Sequence, residues 1–299
     1  MKENVTASKE KLLHVIIHII MIIMCAAMIL PFLLVLGASF QTQREIDEIG
    51  YRLIPKVFSL EAYRGIARSP KVIVDSYWVT AYTTVIGTVM GTLATAGYAY
   101  AMSRKEFAYR KLLNGINIFT MLFNGGLVAT YIVMTRWFHL KDSMWILILP
   151  VIYNPFYVVL MKSFFMSVPD GILEAARIDG ENEYGIFFRF VIPMSKPIFA
   201  TVALFLVLLL WNDYQQSLLY ISKEPLYKLQ YMLMKILNDM EFLNSAAATD
   251  MGVQLDHVSM PTMNLRMAMC VVAAGPILLI FPFFQKYFTK GVNLGGIKE

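Results

Sequence analysis

The tetrapeptide Trp211-Asn212-Asp213-Tyr214 interrupts a long apolar run with residues that can make specific contacts. Amide and carboxylate groups suit the hydroxyls of a sugar, and aromatic rings stack on its flat apolar faces. Asp213 is also an ionisable group within an apolar run, which makes it a functional candidate because a charge is costly in lipid. Trp and Tyr belong equally to the interfacial belts of membrane helices, so anchoring is the alternative to sugar contact.

A helix-breaking sequence, Asn124-Gly125-Gly126, lies in the middle of an earlier apolar run, and Tyr131 follows it on the same run. Irregular backbone at membrane depth is tolerated only where it is buried in protein or lines a cavity. One interpretation is a helix break beside a substrate pathway, with Asn124 and Tyr131 as candidate lining residues. The other is a close crossing of two helices through small residues.

His14 and His18 share one helical face, which is a possible spacing for a metal pair. No third ligand lies near them in sequence, so interfacial packing is the favoured interpretation and no metal site is predicted. Cys25 and Cys270 fall inside apolar runs and are interpreted as small core residues. The four histidines are scattered and no acid–nucleophile constellation accompanies them, which argues against an enzyme and leaves no catalytic candidates.

The composition is that of an integral membrane protein, with 58% hydrophobic and 16% charged residues. Soluble domains have roughly 45–50% and about 25% respectively. Backbone groups cannot be hydrated within the bilayer, so apolar runs of this length are predicted to be helical, in an all-α fold. Gly87 and Gly91, four residues apart, are predicted to permit close helix packing in the second span. Six spans are predicted, at about 12–40, 76–103, 112–134, 144–165, 197–221 and 267–288.

Six spans place both termini on one side of the membrane, and that side is denser in Lys and Arg. Such density favours the cytoplasm. The opposite side carries the long loops 41–75 and 222–266, the first of which is expected to form short packed helices. The net charge of +5 comes mostly from residues beside the apolar runs, which indicates contact with lipid and no nucleic-acid partner. The chain is interpreted as one transmembrane domain, 1–299.

The polar stretch 165–197 separates the fourth and fifth runs. Ser167-Val-Pro-Asp170 has a capping-box pattern, and Asp179-Gly180 is a helix-stop signal in which glycine adopts the left-handed conformation. A second short helix is predicted at about 182–190, ended by the following prolines. From the residues alone, this helix–turn–helix is either an amphipathic connector or a docking element.

The same stretch resembles the EAA loop of ATP-binding-cassette importer permeases, whose pattern is Glu-Ala-Ala, three residues, Gly, and about nine residues to Ile/Leu-Pro. The matching positions are Glu174, Ala175, Ala176, Gly180, Ile192 and Pro193. The resemblance implies a type I importer permease fold, in which the cytoplasmic loop 166–196 carries a coupling helix that seats on an ATPase. It also implies coupling roles: polar contacts for Glu174 and Asp179, and close approach at Ala175, Ala176 and Gly180.

Further stretches resemble carbohydrate importer permeases related to the maltose permeases. Residues 53–66 and the Trp-Asn-x-Tyr stretch within 209–222 match that family, and 281–299 looks like the C-terminus of its second permease subunit. Residues 120–133 resemble the signature of a subgroup linked to aldouronate and other complex oligosaccharides. Ala129 stands where that subgroup has Pro, and the chain ends Gly-Gly-Ile-Lys-Glu where a terminal Lys-Gly is common.

The resemblance implies a bacterial cytoplasmic-membrane subunit that spans the membrane several times, with both termini and the tail 289–299 in the cytoplasm. Its implied partners are a second homologous permease, two cytoplasmic ATPase subunits, an extracellular solute-binding protein, membrane lipid and an oligosaccharide. The chain has no G-x-x-x-x-G-K-[ST] sequence, so ATP and Mg are expected on the ATPase, with no cofactor here. The alternatives are a permease for a non-sugar solute and a stand-alone secondary carrier, which predicts inverted repeats and intramembrane acids.

Overall fold

The computed structural model describes residues 2–67, 70–243 and 263–291. Within these ranges all regular structure is helical, which confirms the expected all-α class. The residues predicted as the C-terminal tail lie outside the described ranges from 292 onward.

The helices are of very unequal length, and several are separated by only a few residues. The α-helices are α1 (Lys2–Ser39), α2 (Gln43–Ile49), α3 (Glu61–Ala67), α4 (Pro70–Ser103), α5 (Arg110–Leu122), α6 (Gly126–Ile132), α7 (Pro155–Phe165), α8 (Asp170–Ile178), α9 (Glu183–Gly185), α10 (Ile192–Met194), α11 (Lys196–Asn212), α12 (Gln215–Tyr220), α13 (Leu229–Leu243) and α14 (Met263–Gly291). Two π-helices span Val133–Trp137 and Ile186–Val191, and two 3₁₀-helices span Met144–Leu147 and Glu224–Leu226.

Three helical segments among the described residues are long and apolar enough to cross a bilayer without interruption: Leu13–Ser39, Lys71–Ser103 and Met263–Ile280. Three further pairs meet the same test only together, because each is bent at a short break. They are Arg110–Leu122 with Gly126–Trp137 (117°), Pro155–Phe165 with Asp170–Ile178 (77°), and Glu183–Met194 with Lys196–Asn212 (83°). The number of candidate spans is therefore three, or up to six if each bent pair is one span.

The third, fourth and fifth apolar runs are helical as predicted but interrupted, and a break in the third run was one of the two interpretations of Asn124-Gly125-Gly126. The third run breaks after Leu122, and residues 148–154 of the fourth run form turns before Asn154 caps α7. The Asn154 side chain accepts from the N–H of Phe156 at 2.9 Å, and Pro155 takes the first helical position. In the fifth run α11 ends at Asn212, because Asp213 adopts an extended conformation.

The described residues fall into two compact units, and the first includes those within Met1–Pro70 and Ile236–Ala274. In this unit the loop after α1 forms α2 and α3, as expected. The Glu45 carboxylate accepts from the backbone N–H of Lys56 at 2.9 Å, and this bond is the main reason that the pKa of Glu45 lies below its ordinary value. Asn264, at the start of α14, donates to the carbonyl of Gln41 at 3.3 Å. Buried polar groups thus hold the first part of this loop.

The second unit includes the described residues within Lys71–Lys235 and Gly275–Glu299. Its larger core joins the C-terminal half of α4 to α7, α8, the π-helix Ile186–Val191 and α11. The fully buried members are Ala96, Ala99, Met102, Val158, Met161, Phe165, Ile186, Val191, Val202 and Leu206. A short amphipathic helix, α8, therefore shares one close-packed core with three of the long or bent apolar segments.

The predicted close packing at Gly87 and Gly91 is confirmed. A Cβ atom on Gly87 would lie 2.7 Å from Leu210 Cδ1, and one on Gly91 would lie 3.2 Å from the carbonyl oxygen of Ile152. These distances show that α4 packs against α11 and the turn before α7 with no room for a side chain.

The close approach at Gly91 leads to a prediction about stability. Replacing Gly91 with valine is expected to destabilise the protein by about 1–3 kcal/mol, because overpacking must displace Leu206 and the Ile152 backbone. Gly97→Val on the same helix is the matched control, since a Cβ there meets no atom within 4 Å. Thermal unfolding of the two variants in detergent measures the difference, and equal melting temperatures would contradict the packing argument.

Candidate functional site

The helix α8 carries the Glu-Ala-Ala sequence and is amphipathic over its whole length. Leu173 and Ala176 are both 2% exposed and belong to the large core, and the other faces of the helix are exposed. The predicted capping box is wrong: the Ser167 hydroxyl donates to the Phe164 carbonyl at 2.7 Å, and Pro169 occupies the N-cap position. Ser167 thus completes the last turn of α7, because that carbonyl needs a partner at the helix end.

The predicted glycine stop at the end of α8 is confirmed, with Gly180 in the left-handed region at φ 83°. The N–H of Glu181 donates to the Ala176 carbonyl at 3.0 Å, and the N–H of Gly180 donates to the Arg177 carbonyl at 3.1 Å. These two bonds form a Schellman motif, which satisfies the last carbonyls of the helix. The chain therefore reverses within two residues and returns to the same core.

The returning segment is helical from Glu183 to Met194, four residues beyond the predicted end. Asn182 caps it by accepting from the N–H of Gly185 at 2.8 Å. Pro193 does not end the helix at the predicted point, since the helical stretch continues through it to Met194. The stretch bends by 83° into α11 at Ser195.

The residues matched to the EAA pattern differ in their exposure. Glu174, Ala175, Asp179 and Gly180 are exposed on α8 and its turn, whereas Ala176 faces the core. The small size of Ala176 thus serves packing inside this chain. Two apolar side chains not singled out from the sequence are the most exposed in the loop, Ile178 at 85% and Tyr184 at 79%. Ile178 lies off the Leu173–Ala176 face, so a helical projection would have identified it.

A cluster of charged side chains ties α8 to its neighbours, and it too was not foreseen. The Arg177 guanidinium bonds Glu183 Oε1 at 3.0 Å and lies 3.6 Å from Glu106 Oε2. The Tyr100 hydroxyl, on α4, donates to Glu183 Oε2 at 2.6 Å. The pKa of Glu106 is lowered, chiefly by a hydrogen bond from its own backbone N–H and further by Arg177. Arg177 therefore connects α8 to α9 and to the loop that follows α4.

The Trp211–Tyr214 tetrapeptide is split between buried and exposed groups. Trp211 is buried, whereas Asn212 and Tyr214 are exposed. The Asp213 carboxylate lies 3.1 Å from the Nζ atom of Lys228, which is fully buried.

Lys228 also caps the end of α11. Its Nζ donates to the carbonyl of Leu210 at 2.5 Å as well as to Asp213, so it satisfies a carbonyl that the helix end leaves unpaired. Burial lowers the pKa of the Lys228 ammonium group, and the Asp213 carboxylate opposes that shift. The ion pair thus fixes the break between α11 and α12.

The break at Asn124-Gly125-Gly126 is present, and its backbone is locally stabilised. The Asn124 side chain accepts from the N–H of Gly126 at 2.9 Å, and Gly126 has φ 82°. A Cβ on Gly126 would meet no atom within 4 Å, so no helix among the described residues crosses there. Within the described residues the structure therefore shows a helix break at this point and no helix crossing. Tyr131, beyond the break, stacks on Tyr220 of α12 with ring centroids 5.4 Å apart.

The histidine pair forms a local contact, with Nδ1 of His18 lying 2.6 Å from the carbonyl oxygen of His14. Both side chains are exposed on α1. The part of the chain that the structure describes contains no group of three or more potential metal ligands.

The sequence of this chain is similar to those of known transport proteins. Residues 84–294 match the family model described as "Binding-protein-dependent transport system inner membrane component". The polygalacturonan/rhamnogalacturonan transport system permease protein YtcP of Bacillus subtilis is 37% identical over 97% of this chain and 99% of its own length. The arabinooligosaccharides transport system permease protein AraQ of the same organism is 26% identical over 89% of this chain and 89% of its own.

A solved structure has the same fold along nearly the whole chain. It is the crystal structure of a bacterial ABC transporter involved in the import of the acidic polysaccharide alginate. The TM-score is 0.79 at 26% identity, with 94% of this chain and 98% of that chain covered. From the extent of these matches, this chain belongs to the family of inner membrane components of binding-protein-dependent transport systems.

Proposed function

We propose that the chain is a permease subunit of an ATP-driven importer whose substrate is an oligosaccharide. The observation that carries the proposal is the polar helix α8, held on the core of the apolar segments by Leu173 and Ala176, with Glu174, Ala175 and the left-handed Gly180 exposed. Two relatives named for polygalacturonan/rhamnogalacturonan and arabinooligosaccharides, and a related structure named for alginate import, support a sugar chain as substrate.

In this proposal the first bent pair forms one span, and the second and third pairs each place one helix in a span and the other in the loop 166–196, which gives six spans in one domain, 1–299. Both termini and the loop 166–196 then lie in the cytoplasm, in agreement with the density of Lys and Arg on that side. The helix α8 is the coupling helix.

The partners proposed for this subunit follow from what the sequence lacks. It contains no phosphate-binding G-x-x-x-x-G-K-[ST] loop, so ATP and Mg bind to two cytoplasmic ATPase subunits. A second, homologous permease completes the pathway, and an extracellular solute-binding protein delivers the sugar.

Coupling requires that the exposed face of α8 contact the open and closed states of the ATPase differently, since a contact of equal strength transmits no work. Glu174 and Asp179 supply polar contacts, and Ala175 and Gly180 permit close approach. Ile178 adds an exposed apolar anchor of the kind that dominates interface energetics when it becomes buried. Motion of α8 then reaches α4, α7 and α11 through the shared core.

The proposed sugar pathway includes the broken third span and the end of the fifth. Asn124, Asn212 and Tyr214 are exposed and offer amide and aromatic contacts to a sugar. Tyr131, which follows the break in the third span, stacks on Tyr220 of α12. Trp211 and Asp213 support this surface from behind, since Trp211 is buried and Asp213 is bonded to Lys228.

Replacing Gly180 with tryptophan tests the coupling role of the loop. Several-fold less ATPase subunit is expected to co-purify with this variant. The left-handed φ of 83° at position 180 strains any residue with a side chain, and the indole ring would cover the surface proposed to dock on the ATPase. Gly50→Trp is the matched control, since Gly50 has φ 84° and equally open surroundings but lies in the loop proposed to be extracellular. Co-purification of the ATPase with each variant in detergent is the measurement.

The same experiment separates the alternatives. Loss of the ATPase in Gly180→Trp but not in Gly50→Trp supports the coupling helix. If neither variant nor the unmodified chain retains an ATPase, and the chain alone moves solute into liposomes, it is a secondary carrier.

A further inference from the structure

A cavity of about 660 Å³ lies beside the loop 166–196, and the proposed function assigns no role to it. Its walls are α4 on one side and the segment from Glu183 to Phe188 on the other. Leu93, Gly97 and Ala101 form a stripe along α4, one turn apart, and Phe187 and Phe188 face them. The exposure of Leu93 (47%) and Phe188 (57%) shows that the cavity is open on one side.

The cavity ends at an arginine whose charge has no hydrogen-bonded partner in the described residues. Arg104 is nine-tenths buried, and its guanidinium carbon lies 4.6 Å above the Tyr100 ring. Its Nε and Nη2 atoms are buried without a hydrogen-bond acceptor. A buried guanidinium with unused donors is costly, so an acceptor is expected in the working protein.

The acidic groups at this end of the cavity are already bonded elsewhere. Glu183 accepts from both Arg177 and Tyr100, and Glu106 lies 3.6 Å from Arg177. Both carboxylates line the cavity, yet neither is bonded to Arg104. The charge of Arg104 helps to lower the pKa of Glu106, but its Nε and Nη2 atoms have no acceptor among the described residues, so these donors are free for a ligand.

The stretch of α4 that lines the cavity is about as long as one leaflet of a bilayer is thick. From Leu93 to Arg104 the helix rises about 16 Å, and half of the hydrocarbon core is about 15 Å thick. Arg104 directly follows the last residue of α4, so it lies at the depth where phosphates of the cytoplasmic leaflet are found in the proposed orientation. An acidic protein side chain would satisfy Arg104 but would leave the apolar stripe uncovered, whereas a phospholipid fills both parts.

We propose that this cavity is a binding site for one anionic phospholipid, with its phosphate on Arg104 and an acyl chain along the Leu93–Gly97–Ala101 stripe. Arginine binds phosphate through two parallel N–H donors, and basic pockets between helices at the cytoplasmic surface are typical sites for anionic lipids. The lipid then lies between α4 and the π-helix Ile186–Val191, next to the residues that hold the coupling helix.

The test uses the importer complex as it purifies with its partner subunits, titrated with phosphatidylglycerol or phosphatidylcholine and examined by native mass spectrometry. Arg104→Gln removes the charge, and Gly97→Phe fills the cavity, since a Cβ on Gly97 meets no atom within 4 Å. The controls are Lys105→Gln, an exposed lysine paired with Asp170, and Gly115→Phe, a helix glycine in equally open surroundings.

The wild-type complex is expected to hold one phosphatidylglycerol more tightly than phosphatidylcholine. Arg104→Gln should weaken that binding about ten-fold or more, because hydrogen bonds to a charged group are lost. Gly97→Phe should abolish it, and the two controls should leave it unchanged. Equal retention in Arg104→Gln, Gly97→Phe and wild type would show only non-specific surrounding lipid and would overturn the proposal.

A second measurement does not depend on the folding of any variant. A cryo-electron microscopy map of the wild-type complex should show a headgroup at Arg104 and chain density along Gly97. An acidic side chain from a partner subunit in that place would identify the cavity as a protein interface and would refute the lipid site.

Discussion

Replacing Lys228 with methionine is expected to destabilise the protein by about 3–5 kcal/mol, the range for breaking a buried ion pair on one side. Lys228 is fully buried, and its ammonium group is shared between the Asp213 carboxylate and the Leu210 carbonyl. Methionine fills much of the same volume but donates no hydrogen bond. The carboxylate would then be left 11% exposed without its cation, and the last turn of α11 without its cap.

Two further variants show whether the loss of stability in Lys228→Met comes from the broken ion pair. Lys223→Met removes an exposed lysine from the same loop and should change the melting temperature little. The double variant Lys228→Met/Asp213→Leu removes both charges and should recover most of the stability, because two apolar side chains carry no desolvation cost. Thermal unfolding in detergent gives all three values. If Lys228→Met unfolds at the same temperature as Lys223→Met, the ion pair does not stabilise the fold.

Replacing Arg177 with alanine is expected to lower transport at least about ten-fold, the effect of losing a charge-assisted contact of 1.5 kcal/mol or more. Arg177 is the one residue of α8 that bonds toward both α9 and the end of α4, through Glu183 and Glu106 among the described residues. Without it the helix keeps its buried Leu173 and Ala176 contacts but loses its fixed orientation. The ATPase should still co-purify, and sugar-stimulated ATP hydrolysis should fall together with transport.

Arg189→Ala is the matched control for this prediction. Arg189 lies in the same loop and pairs with Glu181, but its side chain is 72% exposed, so its pair contributes little. Tyr100→Phe, which removes a single hydrogen bond to Glu183, should give an intermediate effect. Transport and ATPase activity in proteoliposomes are the readouts. Equal losses in Arg177→Ala and Arg189→Ala would point to a general effect of loop charge instead of positioning.

The course of the loop could largely be predicted because its signals are local. Leu173 and Ala176 are three residues apart on one helical face, and Asp179-Gly180 specifies a left-handed stop wherever it follows such a helix. Two local signals misled, those of Pro193 and Ser167. The Ser167 hydroxyl can cap a following helix or bond back to a preceding carbonyl, and the end of α7 supplied the nearer acceptor.

The contacts that hold the site could not be predicted, because they join residues far apart in the chain. Tyr100 and Glu183 are 83 residues apart. Asp213 lies within the fifth apolar run and Lys228 in the loop that follows it, so hydropathy assigns them to different environments. Hydropathy also hides breaks, since an average over a window gives the same value for a continuous helix and for two short ones. Asn124-Gly125-Gly126 was noticed as a possible break, whereas the turn over residues 148–154 was not.

The pairing of Lys228 with Asp213 has a consequence for biosynthesis. Asp213 leaves the ribosome 15 residues before its cation, so the fifth apolar segment reaches the insertion machinery with an uncompensated carboxylate. The carboxylate remains costly in an apolar environment until the following stretch folds back and brings Lys228 to it. Burial of this charge is therefore linked to the folding of the next 15 residues of the chain.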